Sequence, residues 1–339
     1  MKLAIMQLVD QGPAESTAEM LRAVGYDVYL PDKALRDELR RIGCDTVLSA
    51  RDLKRGMGYD MPDIPEIGLE AMQRCDLFCD IKAHRSYDRI VGRWPNLKGK
   101  VLWTRINGGK PEHVIKSSGE DCGDEVNPPC PVLTPNMWYR DSGPTAYACW
   151  PPFVRLAEYA TPRSNRYAAP ICLLHNFTGW GYGALVEPMR SLGVTMYGAG
   201  SPDGLIQHRE VITRLASAKC MVHLKSSDAP GYALYEALAA ACPVVCTRRL
   251  IWRCRMQDLL IPGETCLVFD RETHEGLTPE DVAECTREVR DHLAWLSVPE
   301  NNRRLGEAGR QRLLSVMWSK DKPEDVASLR EFMARNFPA

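Results

Sequence analysis

A chain of 339 residues is longer than one hydrophobic core usually serves, so two domains are expected. Apolar residues make up 45%, charged residues 26%, and the formal net charge is −1, which excludes a global field that selects a polyanionic partner. Thirteen cysteines occur without a single C-x-x-C pair. They lie in apolar runs (Cys172 in ICLL, Cys220 in KCMV, Cys242 and Cys246 around PVV), the pattern of reduced thiols acting as small hydrophobes in a cytoplasmic protein. No run approaches the roughly 18 apolar residues of a membrane span, and the N-terminal KLAIMQLV suits a first strand better than a signal peptide.

In chain order, KLAIMQLV predicts a buried strand, Ser16 to Val24 a helix and YDVYL a second strand. Residues 34–42 (ALRDELRRI) predict an amphipathic helix leading to the strand DTVLSA; residues 67–75 read as helical, followed by the strands DLFCDIKA and KVLWTRI. From Asn107 to Arg163 the alternation breaks into acidic, Pro-rich and turn-rich sequence, and 107–165 reads as the end of the first domain with long functional loops, then a linker. A second series starts at Ala169: APICLLHNF, a glycine-rich TGWGYG, the helix ALVEPMRSL, VTMYGAG, the helix REVITRLASA, KCMVHLK, the helix GYALYEALAAA, PVVCT and TCLVFD. Amphipathic helices follow over 279–297 and 300–315. Strands alternating with helices argue for parallel, helix-covered sheets. The expected division is 1–165, 166–320 and a C-terminal helix in 321–339 that packs back on the first domain.

The segment KSSDAPGYALYEALAAACPVVC, Lys225 to Cys246, is the most informative. A strand runs through Ser226, Ser227 and Asp228 into a helix near Pro230 and Gly231. Ser or Asp suits an N-cap, proline suits the first turn, and free N–H groups at a helix start suit a phosphate. Lys225 would add a point charge to the same phosphate. Between Ala229 and Cys246 the only charged residue is Glu236. On a helix it lies away from the Leu234, Leu238 and Ala241 face, among Tyr232, Ala239 and Ala240. A buried carboxylate needs a partner. Two ribose hydroxyls would serve, and so would an arginine such as Arg248 or Arg249; Asp228 reads equally as a plain helix cap.

Asp228-Ala-Pro-Gly231-x4-Glu236 resembles the E-x-F-G-x4-E signature of retaining GT-B-fold glycosyltransferases, and ALAAACPVV is similar to the sequence that follows it there. IPGETCLVFD and the helices to Lys320 extend the likeness over roughly residues 169–320. The resemblance implies two Rossmann-like domains with parallel sheets facing across a cleft. It implies that Glu236 binds the donor ribose, that amides near Gly231 and Tyr232 hold the diphosphate with Lys225, Ser227 and Arg248 nearby, and that Asp228 contacts the sugar. It implies no cofactor and no metal. Asp228 stands where the family has Glu, Pro230 where it has Phe, and the family's basic residue after the first strand of this half has no counterpart in HNFTGWGYG.

For the acceptor, loops after the first-domain strands supply Asp10 and Gly12, His84 as a catalytic or orienting group, and Arg105 and Asn107. Residues 82–110 carry eight Lys and Arg against Asp88 alone, with Tyr87, Trp94 and Trp103 interleaved. That composition suits a phosphate backbone with exposed bases, or a solvated helix balancing the acidic Glu120–Glu125 stretch. Arg248, Arg249, Trp252, Arg253 and Arg255 form a second cluster. The expected function is transfer of a sugar from a nucleotide sugar to a hydroxyl, in its boldest form on a hydroxymethylated base in DNA, as in phage DNA-modifying glycosyltransferases. A small-molecule or glycan acceptor, a nucleotide-sugar epimerase and a nucleic-acid-binding module are the alternatives.

Overall fold

A computed structural model describes residues 2–7, 11–44, 64–81, 86–104, 130–134, 137, 144–152, 156–159, 168–173, 183–198, 200–225, 231–270 and 277–338. The strands are β1 (Lys2–Gln7), β2 (Tyr26–Pro31), β3 (Glu66–Ile67), β4 (Leu77–Ile81), β5 (Val101–Thr104), β6 (Val132–Thr134), β7 (Ala146–Ala148), β8 (Ile171–Leu173), β9 (Thr195–Tyr197), β10 (Met221–His223), β11 (Val244–Thr247) and β12 (Leu267–Phe269). The α-helices are α1 (Gln11–Ala23), α2 (Lys33–Arg41), α3 (Ser86–Arg93), α4 (Gly183–Ser191), α5 (His208–Ser217), α6 (Tyr232–Ala239), α7 (Arg248–Arg253), α8 (Pro279–Trp295), α9 (Pro299–Val316) and α10 (Pro323–Asn336). Short 3-10 turns cover Leu69–Arg74, Pro95–Leu97 and Leu156–Tyr159. The DTVLSA segment lies outside the described residues.

The chain divides into two compact units, Met1–Val154 with Met317–Ala339, and Arg155–Val316. The first carries a parallel sheet in the order β3-β2-β1-β4-β5-β6-β7, the doubly wound arrangement. Side chains alternate across it with the period of two that a strand imposes. Ala4, Met6, Leu77, Cys79 and Leu102 face α1 and α10, where Leu21, Leu329, Phe332 and Met333 close one core. Ile5, Phe78, Val101 and Trp103 face the opposite side, with Leu35 and Leu39 of α2, Ile90 of α3 and Trp94. Both faces being covered explains why these strands read as continuous apolar runs.

The second unit holds a parallel sheet in the order β12-β11-β10-β8-β9, so the chain order reverses between β8 and β10. Helices α4 and α8 cover one face through Leu185, Met189, Cys285, Val289 and Leu293. Helix α6 packs with α5 and α9. Its approach to α9 is close: a Cβ at Gly306 would sit 1.9 Å from the Ala241 carbonyl oxygen, and one at Gly309 would sit 2.9 Å from Leu238 Cδ2. Only glycine allows the two backbones to meet there.

The stretch read as loops and linker after Asn107 contributes β6 and β7, which extend the first sheet; each is three residues long among Pro and polar residues, too short for periodicity to show. The compact units meet at 154/155 and 316/317, where the sequence reading set 165/166 and 320/321, and the C-terminal helix lies in the first unit. Tyr159 belongs to the second unit because its hydroxyl bonds to groups on α5 and α6. Met317 and Trp318 belong to the first because they pair with Trp150, and Trp318 is buried in the α1–α10 core. Gly306→Ala is expected to destabilise the protein by about 1–3 kcal/mol, because the clash is with backbone rather than a movable side chain. Denaturant unfolding checks it; an unchanged midpoint would refute the packing described for α6 and α9.

Candidate functional site

In an open α/β sheet, ligands collect beyond the carboxyl ends of the strands where the chain order reverses. In the second unit that place is the end of β8 and β10, and α6 starts nine residues after β10 ends. Gly231 stands at the N-cap with φ +76° and ψ 151°, a conformation that strains any residue with a side chain. Among the described residues no side chain caps this helix end. The start of α6 is the positive end of the helix dipole, which favours an anion. Lys225 lies two residues beyond the end of β10, and Tyr232 opens α6 with its ring 6.0 Å from that of Tyr235.

Helix α6 is buried almost all round: Leu234, Tyr235, Ala237, Leu238 and Ala239 are all in the interior, and Glu236 is 8% exposed. Its carboxylate is compensated by two donors. The Tyr159 hydroxyl donates to Oε1 at 3.0 Å, and His208 Nε2 lies 2.8 Å from the same oxygen. Tyr159 is fixed by the 3-10 turn Leu156–Tyr159, whose carbonyl accepts from Arg310 Nη1 at 3.2 Å; His208 is the first residue of α5. Bonds of this kind to an ionised group contribute about 1.5–3 kcal/mol each. The partner of Glu236 is thus a histidine and a tyrosine, not an arginine as the sequence allowed. Arg248 instead pairs with Asp270, both side chains more than half exposed, a pair that contributes little to stability.

Sequence reasoning missed His208 and Tyr159. The first was hidden as the start of an ordinary amphipathic helix, the second in sequence read as linker. It also missed His223 at the end of β10, which is 2% exposed and whose Nε2 has no hydrogen-bond partner among the described residues. Burial, with the nearby Lys225 charge adding to it, lowers the His223 pKa to about 3. The imidazole is neutral at ordinary pH, a buried polar group at the end of β10.

Of the other expected site residues, Asp228, Ser227, His84, Asp10, Arg105 and Asn107 lie outside the described residues. Gly12 lies in the first turn of α1. Within the basic segment, Trp94 and Trp103 are core residues, 2% and 3% exposed, so neither is available to stack on a base. Arg89 donates to the Gly43 carbonyl, and Arg93 pairs with Glu38, which holds that carboxyl down at about 2 together with Arg41. Trp252 on α7, by contrast, is 57% exposed, one helical turn from Arg248.

With this geometry the comparisons can be read. Residues 183–319 match the glycosyl transferase-like family model. A search of curated protein sequences finds no match. Similar solved structures include sucrose-phosphate synthase from Thermosynechococcus elongatus (14% identity, TM-score 0.58, 99% of each chain). Another is Anabaena HepE in complex with UDP-glucose (11% identity, TM-score 0.60, 99% of this chain and 98% of that one). A third is an alpha-glucosyltransferase in complex with UDP-glucose and DNA containing an abasic site (12% identity, TM-score 0.57, 97% and 98%). The fold is GT-B: two parallel-sheet Rossmann-like domains. Among the described residues no helix is long and apolar enough to cross a membrane.

The depressed His223 pKa has a consequence for stability. The unfolded chain takes up this proton near pH 6.5, the folded chain only near 3, so stability is lost as pH falls through that window. His223→Leu is expected to remove part of the loss: between pH 6.5 and 5 the melting temperature of the variant should fall less than that of the parent. Parallel curves would refute the burial described for this ring.

Proposed function

We propose that the protein is a glycosyltransferase that moves a sugar from a nucleoside diphosphate sugar to a hydroxyl group. The observation that carries the reading is the pairing, on one helix, of a glycine N-terminus that no described side chain caps with a buried carboxylate. Five residues separate them, about 7.5 Å along the axis. That suits a ligand whose diphosphate meets the helix start while its ribose hydroxyls reach the next turn. The family match over the same segment supports it, as does the binding of UDP or UDP-glucose by structures of the same fold.

In this reading Glu236 accepts from the ribose, the Gly231 and Tyr232 amides hold the diphosphate with Lys225, Ser227 and Arg248, and Asp228 contacts the transferred sugar. The bond between the anomeric carbon and the β-phosphate oxygen breaks as the acceptor oxygen attacks from the same face. The acceptor proton passes to the leaving phosphate oxygen, and the configuration is retained. Charge developing on that phosphate meets the helix dipole and Lys225, so the scheme uses protein cations and no metal. His84 orients the acceptor, and Asp10, Gly12, Arg105 and Asn107 line its side.

The acceptor in this reading is a hydroxymethylated base in DNA. Its support is the excess of Lys and Arg over 82–110, the exposed Trp252 near Arg248, and the DNA bound by one structure of the same fold. A small-molecule or glycan acceptor would need neither the basic segment nor the tryptophan. Glu236→Ala is expected to weaken nucleotide-sugar binding at least tenfold while the protein still folds; a panel of UDP-, GDP- and ADP-sugars read by thermal shift measures it, and an unchanged shift would refute the assignment. Transfer to hydroxymethylcytosine DNA is expected to survive EDTA and to require the acceptor. Conversion of donor alone would point to an epimerase, and product without DNA to another acceptor.

A further inference from the structure

The buried carboxylate presents one oxygen, not two, to whatever binds it. Tyr159 O–H and His208 Nε2 lie 3.0 and 2.8 Å from Glu236 Oε1 and 3.1 Å from each other. The phenol has one hydrogen and gives it to Oε1. An ionised carboxylate only accepts, so Nε2 carries a hydrogen too and gives it to the same oxygen. Oε2 makes no hydrogen bond to any described residue, and the side chain keeps 11% of its surface. We propose that Tyr159 and His208 are positioning residues for the donor: they saturate Oε1 and fix the carboxylate so that Oε2 alone accepts from the ribose. The inference rests on the donor reading above.

Three separate elements build this lock. Tyr159 comes from the 3-10 turn, His208 from the start of α5 and Glu236 from α6, and all three side chains are buried. The His208 ring also stands edge-on to Tyr159, 6.5 Å between centroids. Tyr159 lies outside the segment that matches the family model, so this contact is not carried by the helix motif. A carboxylate bound through both oxygens would grip the 2′- and 3′-hydroxyls alike. One held at Oε1 turns only Oε2 to the ribose, at one fixed angle, and that fixed angle favours one of the two hydroxyls.

The test is calorimetric binding of UDP, GDP and ADP, followed by the 2′-deoxy and 3′-deoxy analogues of whichever binds tightest. The parent protein should lose at least tenfold in affinity with one deoxy analogue and less than threefold with the other. Tyr159→Phe and His208→Ala should weaken the full nucleotide about tenfold and shrink the difference between the analogues. His208→Gln, which returns an N–H donor, should restore both affinity and discrimination, and thermal unfolding shows whether each variant is folded. Folded variants that bind and discriminate like the parent would overturn the positioning role while leaving the donor site standing, provided Glu236→Gln weakens binding. A parent protein that binds none of the three nucleotides, or a Glu236→Gln variant that binds them unchanged, would overturn both.

Discussion

A carboxylate inside an alanine- and leucine-rich helix must find donors, since an ionised group without them would cost several kcal/mol to bury. Glu236 meets that requirement through Tyr159 and His208, and much of the second unit is arranged around it. Helix α6 reaches the interior because α9 lies against it through Gly306 and Gly309. The 3-10 turn that brings Tyr159 is held by Arg310 from the same α9. The constraint therefore joins four elements, and it fixes one charged group within reach of a helix start built for an anion.

Sheet topology places that group where chemistry is easiest. The parallel strands β8 and β10 end on the same edge, at the point where the order reverses, and α6 starts from there with a glycine in a conformation no other residue adopts without strain. Dipole and carboxylate are both contributed by one short helix. The remaining secondary structure of the unit serves mainly to hold it: α4 and α8 close the opposite face, and α9 fixes its depth.

The alternation of apolar strands with amphipathic helices made the two-sheet class legible, because parallel strands buried on both faces leave long apolar runs such as KLAIMQLV and KCMVHLK. Strands β6 and β7 were not legible, since three residues beside prolines carry no period. Glu236 stood out as the single charge in its segment, and its need for a partner followed. Which partner did not: Tyr159 is 77 residues away and His208 28, and only the fold brings them to it. The basic segment shows the opposite failure. Its aromatics suggested a stacking surface, yet Trp94 and Trp103 pack the first core, and among the described residues the largely exposed tryptophan is Trp252 on α7.

The most direct measurement of the central claim is a crystal structure with a nucleoside diphosphate bound. A ribose hydroxyl is expected against Oε2 of Glu236, with Oε1 still held by Tyr159 and His208 and the diphosphate over the amides of Gly231 and Tyr232. A nucleotide seated elsewhere, with the start of α6 empty, would contradict it.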